Sequence, residues 1–170
     1  MRKEQKIVAI GASTGIITML ATVAALSAWL PGAPLLADAG ERLAFVIRWI
    51  ALGAAPLFIA IIAVGNARFS SDAIDPTARK ESPAMVIDGR MVDNTLQQFV
   101  LFTTASLAVA AVSRGDQLSL VSGAAIFFVF SRFAFWIGYR IHPLYRAFGF
   151  ASTAYLNITL FAVALWRAWS

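Results

Sequence analysis

The sequence predicts an all-α integral membrane protein, and three observations carry that prediction. Hydrophobic residues make up 59% of the 170-residue chain and charged residues only 14%, whereas soluble domains carry about a quarter charged residues. The mean hydropathy is +0.74. The apolar residues fall into five runs, each near the roughly 20 residues that cross a bilayer core as a helix. No polar stretch is long enough to bury a core of its own, so no separate soluble domain is predicted.

The five predicted spans follow the apolar runs in chain order. They cover residues 7–30, 41–66, 94–112, 118–139 and 147–166. The first span contains Gly11 and Gly15 in the GxxxG spacing that lets helices approach closely. Pro31 and Pro34 are expected to end it, because proline cannot continue a helix. Pro56 is expected to kink the second span near its middle.

The first apolar run also invites comparison with a secretory signal peptide, since it follows the basic residues Arg2, Lys3 and Lys6. The run is longer than the apolar region of a signal peptide, which has about 7–15 residues. We therefore interpret it as a true transmembrane span.

The longest polar segment, residues 67–93, separates the second and third spans. It mixes acidic and basic residues and is interrupted by Pro76 and Pro83, so we predict a solvated loop with little regular structure. No acidic residue falls within the third, fourth or fifth predicted span. An unpaired buried charge is costly. Arg132, inside the fourth span, is therefore expected to be completed by an anionic ligand, a carbonyl or water.

The net charge of +5 is explained by cytoplasmic loops and anionic lipid, so membrane lipids are expected partners and nucleic acid is not. One side of the predicted topology collects most of the cations: Arg2, Lys3, Lys6, Arg68, Arg79, Lys80, Arg90, Arg140 and Arg146. The positive-inside rule makes that side cytoplasmic. We predict a cytoplasmic N-terminus and an outer C-terminus in a bacterial inner membrane.

Cysteine is absent and His142 is the only histidine. The chain therefore builds no disulfide, no thiolate metal site and no cysteine nucleophile, and we expect no metal site. If sulfur chemistry takes place here, the substrate must supply the sulfur.

Two polar clusters are predicted to meet on the cytoplasmic side. The first occupies one helical face at the start of the third span: Arg90, Asn94, Gln97 and Gln98. The second recurs at three-, four- and seven-residue steps: Arg132, Phe135, Tyr139 and Arg146. An arginine inside a membrane helix faces protein, water or a ligand by default. We therefore predict one ligand site at the cytoplasmic mouth of the bundle.

These clusters resemble the motifs of the MAPEG family, the membrane-associated proteins of eicosanoid and glutathione metabolism. Family members open one helix with Arg-x3-Asn-x2-Glu, where this chain has Arg90-x3-Asn94-x2-Gln97. Members later carry Arg-x2-Tyr-x3-Tyr and, seven residues on, another Arg, where this chain has Arg132-x2-Phe135-x3-Tyr139 and then Arg146. Residues 41–170 thus resemble the family's four-helix membrane domain, and residues 1–40 look like an added N-terminal helix and outer loop.

The resemblance implies a homotrimer of four-helix bundles that holds glutathione, as co-substrate, between neighbouring subunits. It implies that Arg146 lowers the pKa of the thiol and stabilises the thiolate, because a nearby guanidinium favours the charged nucleophile. Tyr139 would either donate to the sulfur or line the pocket. The implied binding set for glutathione is Arg90, Asn94, Gln97, Gln98, Arg132 and Phe135.

Three positions depart from the family pattern, and they leave two functions open. Gln97 replaces a glutamate that would meet the ammonium of glutathione, Phe135 replaces a tyrosine, and Gln98 occupies a position where several catalytic members have tyrosine. The retained residues favour a glutathione-dependent transferase or peroxidase acting on a hydrophobic electrophile from the bilayer. The replaced residues favour a non-catalytic lipid-binding or scaffold protein. A small transporter is less favoured because no inverted repeat is visible.

Overall fold

The computed structural model describes residues 2–30, 32–33 and 38–170. Every regular element in these ranges is helical. The six α-helices are α1 (Lys3–Trp29), α2 (Ala39–Gly53), α3 (Ala55–Phe69), α4 (Pro83–Val112), α5 (Ser119–Ile141) and α6 (Arg146–Trp169). Three short 3-10 turns lie between helices, at Asp72–Ile74, Pro76–Ala78 and Gly115–Leu118. The prolines expected to end the first helix, Pro31 and Pro34, lie outside the described residues.

Within the described ranges, five helical stretches are long and apolar enough to cross a membrane, and α2 and α3 together form one of them, Ala39–Phe69. The chain is an integral, multi-pass, all-α membrane protein, as its sequence predicts. The bounds of α1, α5 and α6 agree with the predicted spans to about one turn.

The predicted kink of the second span lies at the junction of α2 and α3. The helix is interrupted at Ala54, just before Pro56 in the first turn of α3. Proline has no N–H to donate to the preceding turn, so the regular hydrogen-bond ladder cannot continue through it. The two halves nevertheless cross the membrane as one span.

The predicted loop over residues 67–93 is wrong for much of its length. Helix α3 continues to Phe69, and α4 begins at Pro83 instead of at residue 94. Ser82 caps α4 by accepting a hydrogen bond from the Met85 N–H at 3.3 Å, and Pro83 is favourable in a first helical turn. Charged residues in the first turns of α4 lower the local hydropathy, so the apolar runs do not reveal this part of the helix. Because α4 begins earlier than predicted, Asp88 lies inside the helix.

The connection that remains between α3 and α4 is held by local polar contacts. The Asp75 carboxylate accepts hydrogen bonds from the Thr77 hydroxyl at 2.7 Å and the Thr77 N–H at 2.8 Å. These bonds favour the charged carboxylate and hold the pKa of Asp75 below its usual value. Arg68, near the end of α3, pairs with Glu81 at 3.1 Å.

Helix α6 contacts α1, α4 and α5. A side chain at Gly15 of α1 would come within 2.5 Å of the Phe148 carbonyl oxygen, so only glycine permits this approach. The Ser152 hydroxyl on α6 is shared between the carbonyl oxygens of Gly15, at 3.2 Å, and Phe148, at 2.8 Å. The predicted GxxxG contact is therefore real, and it fixes α1 against α6.

The core has two parts along the bundle. The larger part includes Phe102 and Phe128, which stack with ring centroids 4.7 Å apart, and Leu156 and Leu160 from α6. The smaller part consists of Ala60, Met91, Phe135 and Tyr139. Because two residues of the predicted site belong to this smaller cluster, the site is built on packed side chains.

Candidate functional site

A cavity of about 700 Å³ lies between α1, α4, α5 and α6. Its polar end is formed by four side chains that the sequence singled out: Arg90, Asn94, Tyr139 and Arg146. Its apolar walls come mainly from α1 and α6, with small side chains at Ala12, Ala147, Ala151 and Ala154. The cavity is therefore charged at one end and narrow and apolar along its walls.

The Tyr139 hydroxyl is the meeting point of the polar end. Arg146 donates to it from Nη1 at 3.0 Å, and Arg90 donates from Nη1 at 3.5 Å. The guanidinium carbon of Arg146 also lies 4.9 Å from the centroid of the tyrosine ring. A phenol oxygen that accepts from two donors keeps its own O–H for a third group. The Tyr139 proton is thus available to a partner in the cavity.

A tight turn between α5 and α6 brings Arg146 back onto Tyr139. Helix α5 ends at Ile141, and the His142 ring nitrogen Nδ1 accepts from the Leu144 N–H at 3.2 Å. A side chain at Gly138 would come within 2.9 Å of the Tyr145 carbonyl oxygen. The glycine therefore lets α6 begin directly beside the last turn of α5.

The two arginines at the cavity carry charge that the protein does not neutralise. Among the described residues, the arginines in ion pairs with carboxylates are Arg68, Arg114 and Arg140. Arg90 and Arg146 make no such pair, and both are exposed. The polar end of the cavity is consequently cationic, which suits an anionic ligand.

Arg132 is completed in a way that differs from the sequence expectation. It is 0% exposed, and its guanidinium donates to Thr95, Thr153 and Asn94 at 3.0–3.2 Å. Its Cζ lies 4.2 Å from the centroid of the Phe135 ring. Of the groups expected to complete this cation, a carbonyl does so in part, because the side-chain carbonyl oxygen of Asn94 accepts from it; the two threonine hydroxyls that accept its other hydrogen bonds were not expected.

Asn94 connects the buried arginine to the cavity. Its Oδ1 accepts from Arg132 Nη2 at 3.0 Å, so its amide N–H groups stay available for other acceptors. Phe135 lines the cavity, is 2% exposed and packs edge-on to Tyr139 with ring centroids 5.7 Å apart. Arg132 does not line the cavity, and its position supports a role in orienting Asn94.

The two glutamines of the predicted set point elsewhere. Gln98 is buried, and its Oε1 accepts from Asn157 Nδ2 at 2.9 Å. Gln97 is exposed on α4 and lies outside the cavity lining. The structure thus brings together five of the eight predicted site residues: Arg90, Asn94, Phe135, Tyr139 and Arg146.

An acidic residue that the sequence analysis placed in a loop lies inside α4. Asp88 is 3% exposed and accepts from Trp136 Nε1 at 2.7 Å and from Arg140 Nε at 2.8 Å, with a second contact to Arg140 Nη2. The statement that the third span lacks an acid was therefore wrong, because that span begins earlier. Asp88 therefore neutralises the charge of Arg140, and neither residue lines the cavity.

Sequence reasoning also missed the walls contributed by α1, where Val8 and Ala12 face the cavity. The two residues are four apart on a helix, so they share one face. Gly11 and Gly15 were the available signal, since a helix that packs closely on α6 must lie beside any cavity that α6 lines.

The fold and site define a multi-pass membrane protein with a cavity that is cationic at one end and apolar along its walls. Residues 46–166 match the model of the MAPEG family. That match covers more than half of the chain, so the protein belongs to the MAPEG family, as its motifs indicate. No curated protein and no solved structure matched the chain. The matched residues begin within α2, after the whole of α1.

Proposed function

We propose that this protein is a glutathione-dependent transferase or peroxidase acting on a hydrophobic electrophile that arrives from the bilayer. The observation that supports this most strongly is the convergence of two un-neutralised guanidiniums, Arg90 and Arg146, on the Tyr139 hydroxyl. This group faces a cavity with apolar walls. Such a cavity suits an anionic thiol compound at one end and a hydrophobic acceptor at the other.

Arg146 and Tyr139 have complementary roles in the proposed reaction. The Arg146 guanidinium stabilises the negative charge left on sulfur when the thiol loses its proton to water, and this favours the nucleophilic thiolate. The free O–H of Tyr139 donates a hydrogen bond to the same sulfur. In the transferase reaction the sulfur bonds to the electrophilic carbon. In a displacement, the electron pair of the broken bond leaves with the displaced group; in an addition to a 2-alkenal, the π electrons move toward the carbonyl oxygen and the α-carbon then takes a proton from water. In the peroxidase reaction the sulfur attacks the terminal oxygen of a hydroperoxide, the O–O bond breaks, and its electron pair leaves on the alkoxide, which takes a proton from water to give the alcohol. A second glutathione then attacks the resulting sulfenic acid, releasing water and giving the disulfide.

Arg90 and Asn94 anchor the rest of glutathione in this proposal. An arginine fork matches a carboxylate, and the Asn94 amide, oriented by Arg132, offers N–H donors to the peptide carbonyls. Arg132 itself acts as a positioning residue, because its guanidinium is fully buried against other side chains. These contacts should affect the affinity for glutathione more than the turnover rate.

A homotrimer is the assembly that this proposal favours. Helix α4 exposes polar side chains over three turns and more, at Arg90, Asp93, Gln97 and Thr104. Polar groups facing hydrocarbon are costly, and a neighbouring copy would cover them. We expect trimers in native mass spectrometry from mild detergent. A clean monomer would remove the basis for a site shared between subunits.

The proposed setting is a bacterial inner membrane with a cytoplasmic N-terminus. The cavity mouth is formed by the start of α4 and the turn between α5 and α6, which carry Arg90, Arg140 and Arg146. Basic residues at that end favour the cytoplasmic side. A reporter fused after Ser170 should show that the C-terminus lies outside the cytoplasm. A cytoplasmic location would show that the orientation is the reverse of the one proposed.

One observation favours the second candidate, a non-catalytic lipid-binding or scaffold protein. Among the described residues that line the cavity, no aspartate or glutamate is present to meet the ammonium of glutathione. A cavity with cations and apolar walls also suits a single-chain anionic lipid.

Isothermal titration of glutathione in detergent, combined with thiolate absorbance across pH, separates the two functions. The transferase proposal requires saturable binding and a pKa of the bound thiol below that of free glutathione. A wild-type protein that shows neither is not a glutathione enzyme, and saturable binding of an anionic lipid, measured by direct titration, would then support the second candidate.

A further inference from the structure

The N-terminal helix contributes a wall of the cavity although the family match does not include it. The match begins at residue 46, whereas Val8 and Ala12 of α1 line the cavity. Opposite them, α6 presents Ala147, Ala151 and Ala154. Together with Phe150 and Tyr155 of α6, which line the same cavity, these five short side chains form an apolar slot between α1 and α6.

The position of α1 is fixed at atomic distances. A side chain at Gly11 would come within 3.3 Å of the Ala147 Cβ, and one at Gly15 would come within 2.5 Å of the Phe148 carbonyl oxygen. The Ser152 hydroxyl on α6 donates a hydrogen bond across the contact to the carbonyl oxygen of Gly15, at 3.2 Å. Because backbone meets backbone here, α1 cannot widen the slot without losing these contacts, and the slot width is set by side-chain size.

The slot begins at the cationic end of the cavity. Arg146 opens α6, and Ala147 is the next residue. A thiolate held by Arg146 and Tyr139 would therefore have the slot directly beside it. Its walls offer apolar surface and no charge along the α1 side, since Val8 and Ala12 are the described α1 residues that line it.

We infer that α1 determines acceptor specificity: the slot between α1 and α6 receives the hydrophobic acceptor as an extended alkyl chain, with Ala12 limiting its width. This inference rests on the proposed function for the reacting end, but the slot itself stands on the geometry of α1 and α6. A bulky group at Ala12 would block the chain while leaving the arginines untouched.

The absence of native cysteine allows a direct test with Ala12→Cys, labelled by a membrane-soluble maleimide. Ile10→Cys is the matched control, because Ile10 lies on the same helix, is 67% exposed and does not line the cavity. The probes are S-methylglutathione, which has no free thiol to consume the maleimide, a long-chain S-alkylglutathione and a long-chain alcohol without glutathione. At a ligand concentration about ten times Kd, labelling should fall about tenfold if the ligand covers the site.

We expect the long-chain S-alkylglutathione to protect Ala12→Cys about tenfold, S-methylglutathione to protect it less than about twofold, and neither to protect Ile10→Cys. Equal protection of both variants, or protection of neither, overturns the inference. If titration shows that glutathione itself does not bind, the long-chain alcohol decides. Its selective protection of Ala12→Cys supports the slot although the proposed function fails, and a lack of protection overturns the slot as well.

A second variant guards against a change in folding at Ala12. Val8→Cys faces the same slot one turn nearer the N-terminus and should show the same protection pattern. In an active enzyme, Ala12→Phe should lower kcat/KM about tenfold or more for long-chain 2-alkenals, a loss of about 1.4 kcal/mol, and change it little for short-chain ones. An equal loss for all chain lengths contradicts a selective wall.

Discussion

Arg132 and Arg146 are both arginines in membrane-spanning helices, yet their surroundings differ in almost every respect. Arg132 is 0% exposed and donates hydrogen bonds to Thr95, Thr153 and Asn94. Arg146 is exposed at the cavity, and its guanidinium donates a hydrogen bond to the Tyr139 hydroxyl oxygen. One guanidinium is satisfied by the protein, and the other has donors left over.

Burial and hydrogen-bond satisfaction therefore differ between the two arginines, and we expect these two properties to determine their different roles. A buried cation surrounded by neutral oxygens holds helices together, because α4, α5 and α6 each contribute a group to it. A cation with spare donors beside a cavity is directed at a ligand. Substitutions that act on stability in one region should therefore act on turnover in the other.

The largest effect is expected from Thr95→Val. The Thr95 hydroxyl accepts from both Nε and Nη2 of Arg132, so valine removes the acceptor of two of the four hydrogen bonds that the buried cation donates. A hydrogen bond to a charged group contributes about 1.5–3 kcal/mol, and two are lost here. We expect the apparent Tm in detergent to fall by on the order of 10 °C, measured by thermal unfolding.

Thr104→Val is the matched control for this prediction. Thr104 lies on the same helix, is exposed, and bonds within its own helix to the Val100 carbonyl at 2.9 Å. Its substitution should change stability by less than about 0.5 kcal/mol. Equal Tm values for the two variants would show that Arg132 does not depend on Thr95.

The next effect is expected from Arg146→Ala, and it should fall on turnover. The variant removes the guanidinium that stabilises charge on sulfur, a contact of about 1.5–3 kcal/mol. Turnover with a generic electrophile should drop roughly ten- to a hundredfold, while the Tm stays close to that of wild type.

Arg114→Ala is the control for the loss of an arginine. Arg114 lies in the exposed turn after the last residue of α4, whereas the cavity is lined by residues near the start of that helix. Its turnover should match wild type. A large loss of Tm in Arg146→Ala, with little loss of turnover in the folded fraction, would give Arg146 the structural role that we assign to Arg132.

The sequence was sufficient to predict the number of spans, the family and the polar end of the cavity. Hydropathy is a strong signal for membrane helices. The motif spacing can be recognised in the sequence without three-dimensional information, at Arg90, Asn94, Tyr139 and Arg146. The partners of Arg132 could not be predicted in this way. Thr95 and Thr153 lie 37 and 21 residues away along the chain, and threonine is common in membrane helices without any such role.

The prediction of where α4 begins was wrong for a different physical reason. Its first turns lie at the end of the bundle and carry Asp88 and Arg90 among apolar residues, so hydropathy falls although the helix continues. The cap supplied by Ser82 and Pro83 was a usable sequence signal. Recognising it would have placed Asp88 on the helix opposite Trp136 and Arg140.

A smaller effect is expected from Arg90→Ala. Arg90 lies farther from the Tyr139 hydroxyl than Arg146 does, at 3.5 Å against 3.0 Å, and its proposed partner is a carboxylate of glutathione. Kd should rise about tenfold, equivalent to about 1.4 kcal/mol, with little change in the pKa of the bound thiol. A thiol pKa that rises as much as in Arg146→Ala would mean that both arginines act on sulfur.

The smallest effect is expected from Gln97→Glu. This variant also tests whether α4 of one chain faces the ligand in the cavity of the next. Gln97 is exposed on α4 and outside the cavity of its own chain, so it can reach a ligand only in the cavity of a neighbouring copy. A new carboxylate near the ammonium of glutathione forms a partly solvated ion pair worth about 0.5–1 kcal/mol. Kd should therefore tighten about two- to fivefold by titration, in preparations that native mass spectrometry shows to be trimers. Gln117→Glu, in the turn at the opposite end of the helices, should leave Kd unchanged. If trimeric Gln97→Glu binds no more tightly than this control, α4 of one chain does not face the ligand of the next.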